Sequence, residues 1–350
     1  MGKKFDVVIG NPPYQQEAQG GGTRDTPVYH LFMDAAYEVG TKAVLITPAR
    51  FLFNAGFTPK AWNEKMLTDP HLTVPIYVPN SDDLFPGTEI MGGIAVTYRD
   101  VDREGEVIGT FTKYPELNTI LHKVMESGSS SLEQLGITSS RTYRYTDKLY
   151  EDHPEARALR PDGNAALVNT NTFEQFSFLY HADRPNDGSE YVQVLGLSKN
   201  KRVTRWIRSE YISGPPSLNR FKVAVPASRN AGGMLGDKPA LVTGHSLLLE
   251  PGIGVTQTFI TIGAFDTVAE GEACLKYIQS RFARVILGIL KVTQHNPRST
   301  WKYVPNQNFG SSSDIDWTES IPEIDQQLYA KYSLDVDEIA FIESHVKPMD

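Results

Sequence analysis

The sequence predicts an α/β protein whose first third forms a sheet of parallel type, followed by a mixed α+β domain. Short apolar runs rich in β-branched residues alternate with helical periodicity up to about residue 126. A Ser/Gly-rich segment at 127–131 then precedes an irregular pattern of short strands, aromatic residues and turn signals. We therefore expect domains at 1–127 and 128–312, followed by an acidic helical tail at 313–350.

The first part is expected to alternate strands and helices, with a hairpin at its end. Strands are predicted at 5–10, 42–48, 72–78 and 92–98, and helices at 27–39, 59–67 and 114–125. Residues 96–112 predict two extended runs around a turn at 102–105. Residues 15–26 are polar and glycine-rich, which predicts either a flexible linker or a lid.

The second part contains three helix-start signals. Thr267 and Glu270 form a capping box before a helix predicted to run to about Leu290. Two short amphipathic helices begin near Ser320 and Asp335, and their apolar faces are expected to pack back on the body.

Composition and missing patterns exclude several classes of protein. The chain has 350 residues, 40% hydrophobic and 22% charged. It has no apolar run of membrane-spanning length and no signal-peptide pattern, which predicts a cytoplasmic protein without a membrane partner. The single cysteine, Cys274, excludes a disulfide framework and Cys-pair zinc sites, and is expected to be buried on a helix. No metal site and no nuclease motif are predicted.

Charge is unevenly distributed. Residues 313–350 contain ten acidic and two basic side chains, which accounts for the whole net charge of −8. Eight basic residues between 199 and 229 face one acid, Glu210: Lys199, Lys201, Arg202, Arg205, Arg208, Arg220, Lys222 and Arg229. Residues 276–302 contain six basic residues and no acid. Such clusters indicate an anionic partner.

The segment Asn11-Pro12-Pro13-Tyr14 follows the first predicted strand. Two prolines leave the turn short of N–H donors, so that its oxygens are free to accept hydrogen bonds. The Asn11 side-chain oxygen and the Pro12 carbonyl can accept both hydrogens of a ring amine stacked on Tyr14. This localises the nitrogen lone pair and directs it at an electrophilic methyl group.

The tetrapeptide resembles the catalytic motif of amino-methyltransferases that use S-adenosylmethionine. Together with 45–52, 92–94 and the ending at 324–329 and 341–343, it resembles type II restriction-modification adenine-specific DNA methyltransferases, from residue 5 to about residue 346. The resemblance implies a doubly wound, Rossmann-like methyltransferase sheet, present only in part, and a target-recognition domain. It also implies methylation of an adenine flipped from double-stranded DNA. Phe51 is a candidate second pocket wall, although a core position is the simpler interpretation.

The cofactor motif of that family is missing. A glycine-rich loop and an acid normally precede the catalytic motif, but ten residues precede Asn11. The best later candidate, 221–236 with Glu250, leaves no space for a crossover helix. We therefore leave the cofactor-binding residues open and expect an upstream methyltransferase half, with a nuclease subunit as an alternative partner.

Candidate DNA contacts come from both basic stretches. They are Lys201, Arg202, Arg205, Arg229, Gln294, Asn296 and Arg298. Two alternatives to the enzyme stay open: a DNA-recognition fragment or subunit without independent catalysis, and a methyltransferase that acts on protein or RNA.

Overall fold

The computed structural model describes residues 4–16, 26–54, 57–88, 90, 92–159, 165–228, 234–236, 238–291 and 293–349. The chain divides into two compact units, Met1–Asn118 and Thr119–Asp350. Both mix helices with small sheets.

Unit 1 is built on one four-stranded sheet. Its elements are β1 (Phe5–Gly10), β2 (Gln15–Gln16), β3 (Thr26–Pro27), α1 (Tyr29–Val39), β4 (Gly40–Pro48), α2 (Lys60–Leu67), β5 (Leu72–Val78), β6 (Ile94–Asp100) and the first part of α3 (Pro115–Glu126). The sheet order is β1-β4-β6-β5. β1 pairs in parallel with β4, but β6 is antiparallel to both β4 and β5. The prediction of a parallel sheet was therefore only partly right, because no described helix carries the chain across between β5 and β6.

Helices cover one face of this sheet. Met33 of α1 and Trp62 of α2 share a core cluster with Ala43 and Leu45 of β4. Strand alternation directs a second set of side chains to the opposite face, where several large apolar side chains are exposed: Phe5, Val7, Ile9 and Ile76. A doubly wound sheet has helices on both faces, so the described residues do not confirm that prediction.

The predicted hairpin at 96–112 is wrong. β6 ends at Asp100, whose side chain accepts a hydrogen bond from the Asp102 backbone N–H at 3.1 Å. The N–H groups of Gly105 and Gly109 instead donate to the carbonyls of Pro70 and Leu67, both at 2.8 Å. These isolated bonds tie the segment to the chain after α2 without forming a second strand.

Unit 2 contains the remaining elements. They are β7 (Ile137–Thr138), β8 (Arg144–Tyr145), α4 (Asp147–Asp152), α5 (Glu155–Ala158), α6 (Thr172–Gln175), β9 (Tyr191–Ser198), β10 (Lys201–Arg208), β11 (Ile212–Ser213), β12 (Phe221–Pro226), β13 (Leu247–Leu249), β14 (Ile253–Val255), β15 (Phe259–Phe265), α7 (Val268–Gln279), α8 (Arg281–Leu290), α9 (Ile321–Lys331) and α10 (Val336–His345). The sheets have the orders β13-β12-β15-β7, β10-β9-β14 and β11-β8. This is the mixed α+β pattern that the sequence predicts.

The single helix predicted from Thr267 to Leu290 is two helices. The capping box of Thr267 and Glu270 is present, but Ser280 has an extended backbone between α7 and α8. Its side chain accepts from the Ala283 N–H and begins a new helix. The Asp325 carboxylate accepts two further N–H groups, from Arg281 at 3.0 Å and Phe282 at 2.9 Å.

The acidic tail packs against the rest of unit 2, as predicted. Both α9 and α10 begin with capping boxes, and Ile324, Leu328 and Ile342 are fully buried. Cys274 is buried on α7. Within the described part of the chain, none of the helices has the length and apolar character needed to cross a bilayer.

Candidate functional site

Parallel pairing of β1 with β4 positions the candidate site. Gly10 is opposite Leu45, so the chain leaves both strands at the same edge of the sheet. Asn11 and its neighbours follow β1, and the turn that contains Arg50 follows β4. The carboxyl ends of parallel strands are where α/β proteins bind ligands.

Backbone hydrogen bonds hold the chain directly after the tetrapeptide. The Val28 N–H donates to the Tyr14 carbonyl at 3.1 Å, and Gln15 pairs with Pro27 in the small β2–β3 ladder. The turn is therefore fixed by β1 on one side and by the start of α1 on the other. The loop predicted at 15–26 lies mostly outside the described residues.

Asn11 and Tyr14 are near neighbours. Partial burial raises the pKa of the Tyr14 hydroxyl, and hydrogen bonding with the Asn11 side chain lowers it by a smaller amount. This interaction does not reach full hydrogen-bond geometry, because the buried hydroxyl has no partner of good geometry in the described part of the chain. Asn11 is exposed and Pro12 is half-buried.

A cavity of about 330 Å³ opens beside Tyr14. It is lined by Pro13, Tyr14, Gln15, Pro27, Tyr29, Pro48, Arg50, Phe57, Thr88 and Ile90. This volume is at the lower end of the range for small-molecule sites and combines apolar walls with few polar groups.

Sequence reasoning missed most of the cavity wall. Burial raises the pKa of Tyr29 to about 12, while the Thr58 hydroxyl and the Arg50 charge both lower it by smaller amounts. The parallel pairing of β1 with β4 was the signal that could have identified Arg50. Phe51 is fully buried, with its ring centroid 5.4 Å from that of Trp62, and is a core residue.

The predicted DNA contacts of the 199–229 stretch lie in different environments. Lys201 and Arg202 are exposed, and alternation along β10 directs them to opposite faces. Arg205 is half-buried and donates to the Thr204 carbonyl at 3.1 Å. Arg229 lies outside the described residues.

The three DNA contacts predicted at 294–298 also differ in their exposure. Gln294 and Arg298 are exposed, and Arg298 donates to the Glu133 carbonyl at 3.3 Å. Asn296 is only 1% exposed, and its side-chain oxygen accepts from the Thr300 hydroxyl at 3.2 Å. In this conformation the Asn296 side chain lies inside unit 2.

The fold brings the two basic stretches together. Ser228 forms an antiparallel bridge with His295, at the end of β12. Arg202 donates to the His245 carbonyl at 2.6 Å, and its guanidinium lies 5.6 Å from the ring centroid of Phe259. Because Phe259 pairs with Pro226, these groups share one end of unit 2.

The described residues do not contain a recognisable site for S-adenosylmethionine. β12 pairs antiparallel with β13, so the glycine-rich candidate after β12 is not part of a strand–helix–strand unit. The described residues that line the cavity at Tyr14 include no glycine.

Comparison with protein families identifies the segment that carries the cavity. Residues 1–85 match the Eco57I restriction-modification methylase family. The resemblance inferred from the sequence is thereby confirmed for this segment. The methylase match includes Asn11, Tyr14 and Arg50, while Thr88 and Ile90 lie just beyond it.

Comparisons over the whole chain add little. No curated protein sequence matches it. Among solved structures, the type IIG restriction endonuclease BpuSI is similar with a TM-score of 0.32 and 10% sequence identity. The alignment covers 96% of this chain and 52% of that structure, so the chain spans about half its length.

Proposed function

We propose that this chain is the acceptor-binding part of an adenine-specific DNA methyltransferase of a restriction-modification system. The observation that carries the proposal is the cavity lined by Pro13 and Tyr14, which follow Asn11 and Pro12 directly in the chain, in a segment that matches a methylase family. The methyl donor is S-adenosylmethionine. The reaction takes place in the cytoplasm, where the DNA is.

The tetrapeptide supplies positioning and electrostatics. The Asn11 side-chain oxygen and the Pro12 carbonyl accept the two hydrogens of the adenine amine, which restores its lone pair to nitrogen. Tyr14 stacks on the ring and sets its plane. No strong general base is needed, because the amine becomes nucleophilic through orientation and hydrogen bonding.

Base flipping makes this geometry reachable. Inside a duplex, the amine is paired and stacked, so a target adenine has to be extruded into a pocket. A cavity of about 330 Å³ with an aromatic wall at Tyr14 supports an extruded single base as the ligand.

A separate segment supplies the donor site in this proposal. β1 is an edge strand of its sheet, and its outward side chains Phe5, Val7 and Ile9 are exposed. Apolar residues at alternate positions on an edge are typical of a strand that pairs further. We propose that the complementary methyltransferase half packs there, completing a doubly wound sheet.

Unit 2 supplies the DNA-binding surface. We assign residues 1–127 to catalysis, 128–312 to target recognition and 313–350 to an acidic tail. Arg202 and the 294–298 segment share one end of unit 2, which supports DNA contacts from Arg202, Gln294 and Arg298, and we propose Lys201, Arg205 and Arg229 as further contacts. Asn296 is assigned to support this surface from within, because it is buried.

The second candidate function is a DNA-recognition subunit without independent catalysis, joined to a nuclease subunit. Titration calorimetry of S-adenosylmethionine, with and without duplex DNA, separates the two. For the methyltransferase, we expect this chain alone to bind duplex DNA but not the donor. Donor binding should appear when the complementary half is added. Micromolar donor binding by this chain alone, lost in Asn11→Ala, would mean that it is a complete enzyme. Binding of RNA in preference to duplex DNA would contradict both.

A further inference from the structure

One element of unit 2 has a shape and chemistry that the proposed catalytic steps leave unused. β9 and β10 form a hairpin in which Ser198 pairs with Lys201, leaving Lys199 and Asn200 as a two-residue turn. Both turn residues have positive φ, 47° and 62°. This is the pattern of a type I′ turn, whose usual sequence is Asn-Gly.

The turn sequence destabilises the folded state slightly and leaves two polar side chains available for binding. A lysine in the left-handed region is strained, because its Cβ crowds the following carbonyl oxygen. The turn places the Lys199 and Asn200 side chains at the outermost point of the hairpin, and both are exposed. Residues held in strained backbone conformations cluster at ligand-binding sites.

These side chains are also unpaired, unlike the other described cations of the 199–229 stretch. Lys199, Asn200 and Lys201 make no side-chain hydrogen bond or ion pair with the described part of the chain. The other described cations there all have partners. Arg202 and Arg205 donate to carbonyls, Arg208 and Arg220 pair with Asp187 and Asp266, and Lys222 donates to three carbonyls.

The base of the hairpin is anchored and its tip projects. A Cβ at Gly196 would lie 2.6 Å from Thr256 Cγ2 and 2.7 Å from the Phe173 ring, so the strand is packed tightly there. Two residue pairs and the turn lie beyond Gly196 and Val203, a length of about 10 Å at about 3.3 Å per residue. One residue of each pair still contacts the body, since Ser198 donates to Glu174 and Arg202 donates to the His245 carbonyl, so the part without such contacts is the tip formed by Lys199, Asn200 and Lys201. The major groove of B-form DNA is about 8.5 Å deep and admits a two-stranded ribbon.

We propose that the β9–β10 hairpin enters the DNA major groove and reads base edges with Lys199 and Asn200. Lysine pairs with guanine O6 and N7, and asparagine with adenine N6 and N7. Lys201 and Arg202 then lie beside the phosphates that flank the groove. The inference rests on the proposed function, because it names the element through which that enzyme selects its site. The major groove of A-form RNA is too narrow for such a ribbon.

The test uses a double substitution that should not unfold the chain. Lys199→Asn with Asn200→Gly installs the preferred type I′ dipeptide, so thermal stability is expected to be unchanged or higher. Binding is measured with a randomised duplex pool at several salt concentrations, followed by sequencing of the bound fraction. Lys148→Asn is the control, because it removes the same single positive charge. Lys148 pairs with Asp152. Asp152 lines a groove with Tyr191 and Arg208, which are at the end of the hairpin opposite the turn.

We expect the double variant to lose sequence preference at two or three positions and about tenfold in affinity for the selected site. The slope of log affinity against log salt concentration should decrease by about one, which corresponds to the loss of one phosphate contact. The control should keep the sequence preference, and Asn200→Gly alone should change the preference without changing the salt slope. If the wild-type chain binds duplex and the double variant keeps the same preference, the inference is wrong. If the wild-type chain does not bind duplex, the proposed function fails first and the inference with it.

Discussion

The Val28 N–H and the Tyr14 carbonyl are joined by a hydrogen bond of 3.1 Å. This bond connects the end of the candidate catalytic turn to the residue before α1. β1 fixes the other side of the turn through its parallel ladder with β4. The positions of the acceptor groups therefore depend on unit 1 folding as a whole.

Gly93→Ala is expected to destabilise unit 1 strongly. Gly93 has φ 78°, and a Cβ there would collide with the Val78 carbonyl oxygen. The Gly93 carbonyl also accepts from the Ala49 N–H at 3.0 Å, next to the cavity. We expect a loss of about 3 kcal/mol or more in unfolding free energy, measured by urea denaturation.

Gly87→Ala is the matched control. Gly87 has a similar φ of 80°, but the space that its Cβ would occupy is open. Its loss should be about 1 kcal/mol. Equal losses in the two variants would mean that backbone conformation alone decides the cost and that the contact at Val78 contributes nothing.

Lys123→Met should destabilise unit 2 more than Lys123 and Glu338 changed together. Glu338 is 1% exposed, and its carboxylate accepts from Lys123 Nζ and from the Thr119 hydroxyl, both at 2.6 Å. Removing only the cation leaves a buried anion, at a cost of about 2–4 kcal/mol after allowance for the partial exposure of Lys123. Lys123→Met with Glu338→Gln should recover about half of this. Additive losses in thermal unfolding would contradict the coupling.

Asp325 should make stability depend on pH. Burial raises the pKa of this carboxyl to about 6, against smaller lowering by the backbone N–H groups of Phe282 and Arg281. Between pH 4 and pH 6 the folded chain binds more protons at Asp325 than the unfolded chain does. Stability from this group is therefore greatest at low pH and falls as pH rises to about 6.

The measurement is the difference in unfolding free energy between wild type and Asp325→Asn at pH 4.5 and pH 7. Relative to the wild type, the unfolding free energy of the variant should be about 2 kcal/mol more favourable to the folded state at pH 7 than at pH 4.5. Asp337→Asn, at an exposed position, is the control. A pH-independent difference for Asp325→Asn would disprove the assignment.

Ile9→Lys should separate stability from activity. The Ile9 side chain is 77% exposed, so the substitution should change unfolding free energy by less than about 0.5 kcal/mol. If the complementary half packs on β1, the same change should abolish donor binding in the reconstituted enzyme. Val336→Lys, at an 81% exposed position in unit 2, is the control and should leave donor binding intact.

Local features of the fold followed from the sequence. Strands at 5–10 and 72–78 and helix starts at Thr267, Ser320 and Asp335 were correct because alternation and capping are short-range effects. The direction of β6 was missed because it depends on pairing with two distant strands. The break at Ser280 was missed because Asp325, far along the chain, completes the cap of α8.

The candidate site also combines residues from a local motif with residues that come together only through long-range contacts. The prediction of Asn11 to Tyr14 as site residues came from a contiguous motif and the strand before it. Thr88 and Ile90 line the cavity only because separate strands end together, which no local pattern reveals, whereas Arg50 follows a strand that the sequence predicts. Burial of Asn296 depends on its contact with Thr300 and on the bridge between Ser228 and His295.

The most direct test of the central claim is a comparison of genomic DNA methylation in cells that carry the wild-type gene and Asn11→Ala at the native locus. Asn11 is exposed, so the variant should fold normally, and Asn219→Ala, also exposed, is the control. We predict that N6-methyladenine at one sequence motif is present with wild type and Asn219→Ala and absent with Asn11→Ala. Full methylation of every motif in the Asn11→Ala cells would contradict the assignment of Asn11 to the acceptor site.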